Sequence, residues 1–271
     1  MPLPKFMGRV LIKFGGGVIT TKSTGEPDVR WDVLKPLIQS TFDLARKGHQ
    51  VIIVHGAGSF GHVLAKKWDL SSGFESDKWD RTEKIDQDRM EAVAKVRENM
   101  DFLRTVIVSA GYCKAHIPRE FMKNTGFEFD GDLSRFTEED DVHNSVHITH
   151  GDLVDCDEPK GFGILSGDHI MYRLATELPD VTHCIFAMDE QGILTSPEDG
   201  DLVPRWNREM GLNGVHDDEL DVTGGIFLKA DVASRICESV EHVWFVDGKC
   251  PERIIEIVEN GDTIGTRIVP P

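Results

Sequence analysis

Four short stretches of this chain combine glycine with lysine, histidine or aspartate in patterns suited to anionic oxygen. The first is Lys13-Phe14-Gly15-Gly16-Gly17, at the end of an apolar run. Glycine lets backbone N–H groups approach phosphate oxygens, and lysine adds a mobile point charge. The GxxxxGK[ST] spacing of a Walker A loop is absent. Lys22 follows shortly after. The second stretch reads His-Gly-Ala-Gly-Ser-Phe-Gly-His over 55–62, directly after Val51-Ile52-Ile53-Val54. It offers backbone around Gly56, Ala57, Gly58 and Gly61, and His62 supplies a directional donor. The third is Ser166-Gly167-Asp168, leading into a helical pattern whose N-terminus suits an anion. The fourth is Asp221-Val222-Thr223-Gly224-Gly225-Ile226-Phe227-Leu228-Lys229, two glycines opening a helix with a lysine one turn later.

Taken singly, each has a plainer reading. Lys13, Lys22 and Lys229 could be solvated charges, His62 a capping or core histidine, and Ser166 or Asp168 a helix cap. The string Gly56-Ala57-Gly58 with Gly61 also looks like a dinucleotide fingerprint, but residues 63–84 are polar and hold no strand ending in an acidic residue. The four together point to a small phosphorylated ligand.

The elements that must position them alternate. Arg9–Phe14, Gln50–Val54, Lys114–Ile117, Val146–Thr149, His183–Met188 and His242–Val246 read as strands. Leu34, Leu37, Ile38, Phe42 and Ala45 make one helical face, with Asp32 as its expected N-cap and Pro36 expected in its first turn. Met90, Val93, Val96, Met100, Leu103 and Ile107 make a longer stripe, expected to be core, with Met90, Val93 or Val96 as candidates to reach a substrate pocket. The polar segment 124–144 reads as a hairpin or surface excursion. Alternation of strand and helix predicts an α/β fold, a three-layer αβα sandwich with a largely parallel sheet. Ligands in such sheets gather beyond the carboxyl ends of strands, where the glycine stretches fall.

The chain of 271 residues is 39% hydrophobic, enough for a sizeable core. Its net charge of −17 argues against general nucleic-acid binding. The acidic runs 138–141 and 217–219 are expected to be solvated loops rather than metal sites. No stretch approaches the ~18 consecutive apolar residues of a membrane span, and no signal peptide is expected at the start. Five scattered cysteines without a CxxC pair predict free thiols in a reducing cytoplasm.

In order and over essentially the whole length, the motifs resemble the amino acid kinase superfamily, most closely its isopentenyl phosphate kinases. They are IKFGGGVITTK, HGAGSFGH, HGDLV, ILSGDHI, DEQG, DVTGGIFLK and IGTRI. HGAGSFGH is the most specific, because the wider superfamily usually lacks its second histidine. Gly17 stands where relatives usually have serine, Ala57 where they have glycine, and His169 where they have a second aspartate. Asp189-Glu190-Gln191-Gly192 replaces the usual DVDG turn.

The resemblance implies a single domain over 1–271, with an acceptor-binding part at about 1–160 and a nucleotide-binding part at about 161–271. It implies ATP-dependent phosphorylation of isopentenyl phosphate, with Mg²⁺ carried by ATP, no protein metal ligand, and a homodimer. Lys13, Gly15, Gly16 and Gly17 would hold ATP phosphates. Lys22 and Lys229 would stabilise the transferring group, and Asp168 would orient lysines. Ala57 and Gly167 would contact the acceptor phosphate through backbone, and His62 would hydrogen-bond it. Gly58, Asp189 and Gly225 would lie on the nucleotide side. The alternatives are a fosfomycin-type phosphonate kinase and a non-catalytic nucleotide-binding member.

Overall fold

The computed structural model describes residues 6–21, 26–75, 83–111, 113–137, 146–196, 200–212 and 225–271. In chain order its strands are β1 (Arg9–Phe14), β2 (Gln50–His55), β3 (Cys113–Ala115), β4 (Met122–Lys123), β5 (Asp130–Gly131), β6 (Val146–His150), β7 (Asp152–Asp155), β8 (Phe162–Leu165), β9 (Val181–Met188), β10 (Arg205–Trp206), β11 (His242–Asp247) and β12 (Thr266–Ile268). The helices are α1 (Gly16–Ile19), α2 (Trp31–Arg46), α3 (His62–Lys67), α4 (Glu83–Ser109), α5 (Gly167–Glu177), α6 (Gly225–Ile236) and α7 (Glu252–Asn260).

Among the described residues, eight strands form one sheet in the order β10-β12-β11-β9-β1-β2-β6-β3. All its pairings are parallel except β11 with β12. Side chains alternate across the sheet, so each strand feeds two cores. Val10, Ile12 and Phe14 of β1 join Val51, Ile53, Val146 and Ile148 beneath α2, α4 and α7. Leu11 joins Ile52, Val54, Phe186 and Phe245 beneath α5 and α6. Helices therefore cover both faces, as the alternation predicted, and all six expected strands are present with shifts at their ends.

Local details differ from the sequence expectations. The N-cap of α2 is Arg30, without a side-chain cap, and Asp32 lies inside the first turn. Pro36 lies within α2 beyond its first turn. The Ser40 hydroxyl lies 3.1 Å from the Pro36 carbonyl and 3.2 Å from the Pro251 carbonyl, both of which can accept from it. In α4, Val93, Val96, Met100, Leu103 and Ile107 are buried, but Met90 is exposed because the stripe drifts around the helix. The segment after 121 is partly a hairpin of β4 against β5. Phe129, Leu133 and Phe136 from it are buried in the core beside α5, so the described part, up to residue 137, is anchored rather than a surface excursion. The acidic runs 138–141 and 217–219 lie outside the described residues.

Candidate active site

The first two glycine stretches leave the carboxyl ends of the adjacent strands β1 and β2, which run in parallel register with Phe14 opposite His55. That register brings the two loops into backbone contact. A methyl group at Gly56 would lie 2.7 Å from the Gly16 nitrogen, and one at Gly16 would overlap the Gly58 nitrogen. Gly58 has φ +50°, a conformation glycine adopts without the cost other residues bear. Thr20, completely buried, joins the loops. Its hydroxyl donates to the Gly16 carbonyl at 2.8 Å and accepts from the Ser59 amide at 3.1 Å.

The third stretch arrives from β8. Ser166 is the N-cap of α5, its hydroxyl accepting the Asp168 amide at 3.2 Å. The cap belongs to Ser166, which leaves the Asp168 carboxylate for other partners. Lys13 has the same parity as Leu11 and so points towards α5. Its Nζ forms an ion pair with Asp168, both side chains almost fully buried. Lys229, one turn into α6, places its Nζ 4.0 Å from the same carboxylate and donates to the Gly225 carbonyl at 3.2 Å. A charge pair is tolerated away from water only when its partners meet closely.

Asp189 lies beyond the end of β9. It accepts from Arg30 at 3.0 Å and lies 3.4 Å from Lys249 Nζ. Arg30 also reaches the Gly17 carbonyl at 3.4 Å, tying this turn to the first loop. His62 opens α3 and is half-buried. The loop before it is held against α4: Asn99 donates to the Phe60 carbonyl at 2.9 Å, and the Gly61 backbone faces Val96 and Met100.

The structure thus gathers Lys13, Gly15, Gly16, Gly17, Ala57, Gly58, Gly167, Asp168, Gly225 and Lys229 along one rim. Among the described residues, no hydrogen-bond partner faces the amides of Gly16, Gly17, Ala57, Gly58 and Gly167. Clustered free amides beside two cations have the chemistry to receive an anion. Lys22 and Gly224 lie outside the described residues. Thr20, Arg30 and Lys249 escaped sequence reasoning. Arg30 and Lys249 carry no motif, and Thr20, although inside IKFGGGVITTK, stands beside Thr21 and Lys22 with nothing to single it out.

The model of the amino acid kinase family matches residues 8–247. The isopentenyl phosphate kinase of Methanocaldococcus jannaschii is 28% identical over 237 residues, covering 83% of this chain and 86% of that protein. The isopentenyl phosphate kinase of Thermoplasma acidophilum is 29% identical over 253 residues, covering 92% and 95%. In the solved structures, an isopentenyl phosphate kinase superposes with a TM-score of 0.78 at 21% identity, covering 96% of this chain and 100% of its own.

Proposed function

Because this chain belongs to the amino acid kinase family, we propose that it transfers the γ-phosphoryl group of ATP to isopentenyl phosphate, making isopentenyl diphosphate. The relatives named isopentenyl phosphate kinase support this acceptor. The observation that carries the reading is the contact between the two glycine loops above the Lys13–Asp168 pair. Two anions must meet there, and the rim supplies amides and cations for both.

The acceptor's attacking oxygen is already anionic, so the reaction needs no general base. Catalysis reduces to alignment and to charge stabilisation. In this reading Lys13 and the Gly15–Gly17 backbone hold ATP phosphates, while Gly58, Asp189 and Gly225 border the nucleotide. Lys22 and Lys229 stabilise charge on the transferring group, and Asp168 orients Lys13 and Lys229. Ala57 and Gly167 donate backbone N–H groups to the acceptor phosphate, and His62 adds a side-chain donor.

In this reading the part up to about 160 mainly houses the acceptor and the remainder the nucleotide, with Lys13, Gly15–Gly17 and Gly58 reaching across to ATP and Gly167 to the acceptor. Among the described residues no group of three or more His, Cys, Asp or Glu is placed to hold a metal. Asp168 and Asp189 already face cations. Mg²⁺ would be held by ATP phosphates and water, which suits its reluctance to dehydrate, and bound there it neutralises phosphate charge. Free cysteines favour a reducing cytoplasm, and no described helix is long and apolar enough to cross a membrane. The active form in this reading is a homodimer.

An ADP-release assay with isopentenyl phosphate, dimethylallyl phosphate and fosfomycin tests the proposal. Turnover highest with isopentenyl phosphate is expected. Turnover only with fosfomycin, or ATP binding without any turnover, would overturn it.

A further inference from the structure

We propose that His55 and His150 are positioning residues for the acceptor phosphate: two buried neutral imidazoles that set the backbone amides of Ala57 and Gly167. The role rests on the reaction proposed above. The two residues end the neighbouring parallel strands β2 and β6 and stand opposite each other in register. Both are completely buried, and their ring centroids lie 4.9 Å apart. Each ring reaches the carbonyl of the glycine that follows it. His55 Nδ1 lies 3.2 Å from Gly56 O, and His150 Nδ1 lies 3.1 Å from Gly151 O. A carbonyl only accepts, so in both rings Nδ1 carries the hydrogen. Both Nε2 atoms are buried without a hydrogen-bond partner among the described residues.

A trans peptide points its C=O and the next N–H to opposite sides. Holding the Gly56 carbonyl under the loop therefore turns the Ala57 N–H the other way, towards the rim. Gly151 is fixed at both its polar groups. Its amide donates to the His55 carbonyl at 3.2 Å, while His150 holds its own carbonyl. A methyl group at Gly151 would lie 2.9 Å from the Gly167 nitrogen, so Gly151 is the seat of that second amide. One imidazole thus sets each backbone donor.

The surroundings disfavour a charge on either ring. Burial, then the neighbouring His150, hold the His55 imidazole well below its ordinary value, with Arg104 adding to the effect. Burial also lowers His150, opposed by Asp152 and by its own bond to Gly151, and assisted by Arg104 and Arg119.

The test compares His55→Leu and His150→Leu with His55→Asn and His150→Asn. Asparagine keeps a donor near the Nδ1 position, and leucine keeps only the volume. A positioning role predicts that each Leu variant raises the acceptor KM about tenfold, the worth of one hydrogen bond, with the ATP KM unchanged. The Asn variants should recover most of that loss. A packing role reverses the order, because Leu buries well and Asn leaves an amide unsatisfied; that order overturns the proposal. Should the Leu variants fail to fold, ¹⁵N imidazole spectra of the wild type decide. Two Nδ1–H tautomers that do not titrate between about pH 5.5 and about pH 8 support it, and an Nε2–H tautomer overturns it. Those spectra need no substrate, so they remain informative if wild-type turnover with isopentenyl phosphate is absent.

Discussion

Lys13, on β1, and Asp168, in the first turn of α5, form an ion pair with 6% and 2% of their side chains exposed. The pair is enclosed because Lys13 leaves the strand on the face that α5 covers, and because Ser166 takes the capping role Asp168 would otherwise fill. Lys229 stands 4.0 Å from the same carboxylate, so one anion holds cations from two elements at one place.

Removing Asp168 should therefore cost more than an ordinary surface charge. Asp168→Ala leaves Lys13 buried without its partner and should lower stability by about 3–5 kcal/mol in urea unfolding. The double variant Lys13→Met/Asp168→Leu should recover most of that stability while remaining inactive. A loss below about 1 kcal/mol in the single variant would show the pair to be solvated in practice.

Gly58→Ala should distort both loops at once. The added methyl group meets the Gly16 carbonyl at 2.6 Å and forces alanine to φ +50°. Left-handed strain of about 1–2 kcal/mol and overpacking of about 1–3 kcal/mol add to roughly 2–5 kcal/mol of lost stability. Gly126→Ala is the control, with φ +85° but nothing within 4 Å, and should show only the strain. Equal melting temperatures in the two variants would rule out the loop contact as the cause.

His62→Ala should lower turnover and raise the acceptor KM with little effect on ATP affinity. A charge-assisted hydrogen bond of ~1.5–3 kcal/mol corresponds to roughly 10- to 150-fold. Lys229→Ala should instead damage the ATP side. Steady-state kinetics varying each substrate in turn separates the two, and an unchanged kcat/KM for the acceptor in His62→Ala would remove that residue from the site.

Acid should weaken the fold through His183. Its ring stacks on His242 with centroids 4.5 Å apart. Burial, then His242 and His49, hold its pKa down from 6.5 to about 4. The unfolded chain takes up the proton first as pH falls. This contribution to stability is therefore complete above about 6.5 and is lost as pH falls towards about 4. The melting temperature should drop between about pH 7 and about pH 5, and drop less in His183→Phe. Parallel curves for the two proteins would acquit His183.

Much of this was legible beforehand where the signal is local. Val51–Val54 and Arg9–Phe14 announce strands by composition, and the four glycine stretches announce anion chemistry by residue type. Met90 is exposed while its neighbours Arg89 and Ala92 are buried, because a stripe of three- and four-residue steps drifts around the helix. Asp32 does not reveal its place by type, because an acidic residue suits both the cap and the first turn. Arg30 and Lys249 had no signal, since each acts on a residue distant in the chain, and the motif that holds Thr20 does not reveal its bond to the Ser59 amide.

The alternation of strand and helix, six strands of the largely parallel sheet and the phosphate-binding chemistry follow from the sequence alone, because periodicity and side-chain type are properties of short segments. Which loops touch does not. The contact of Gly16 with Gly58, the choice of Asp168 as partner for Lys13, and the pairing of His55 with His150 depend on which strands lie side by side and in what register. Strand pairing is settled by burying both faces of the whole sheet at once, and no segment carries that information by itself.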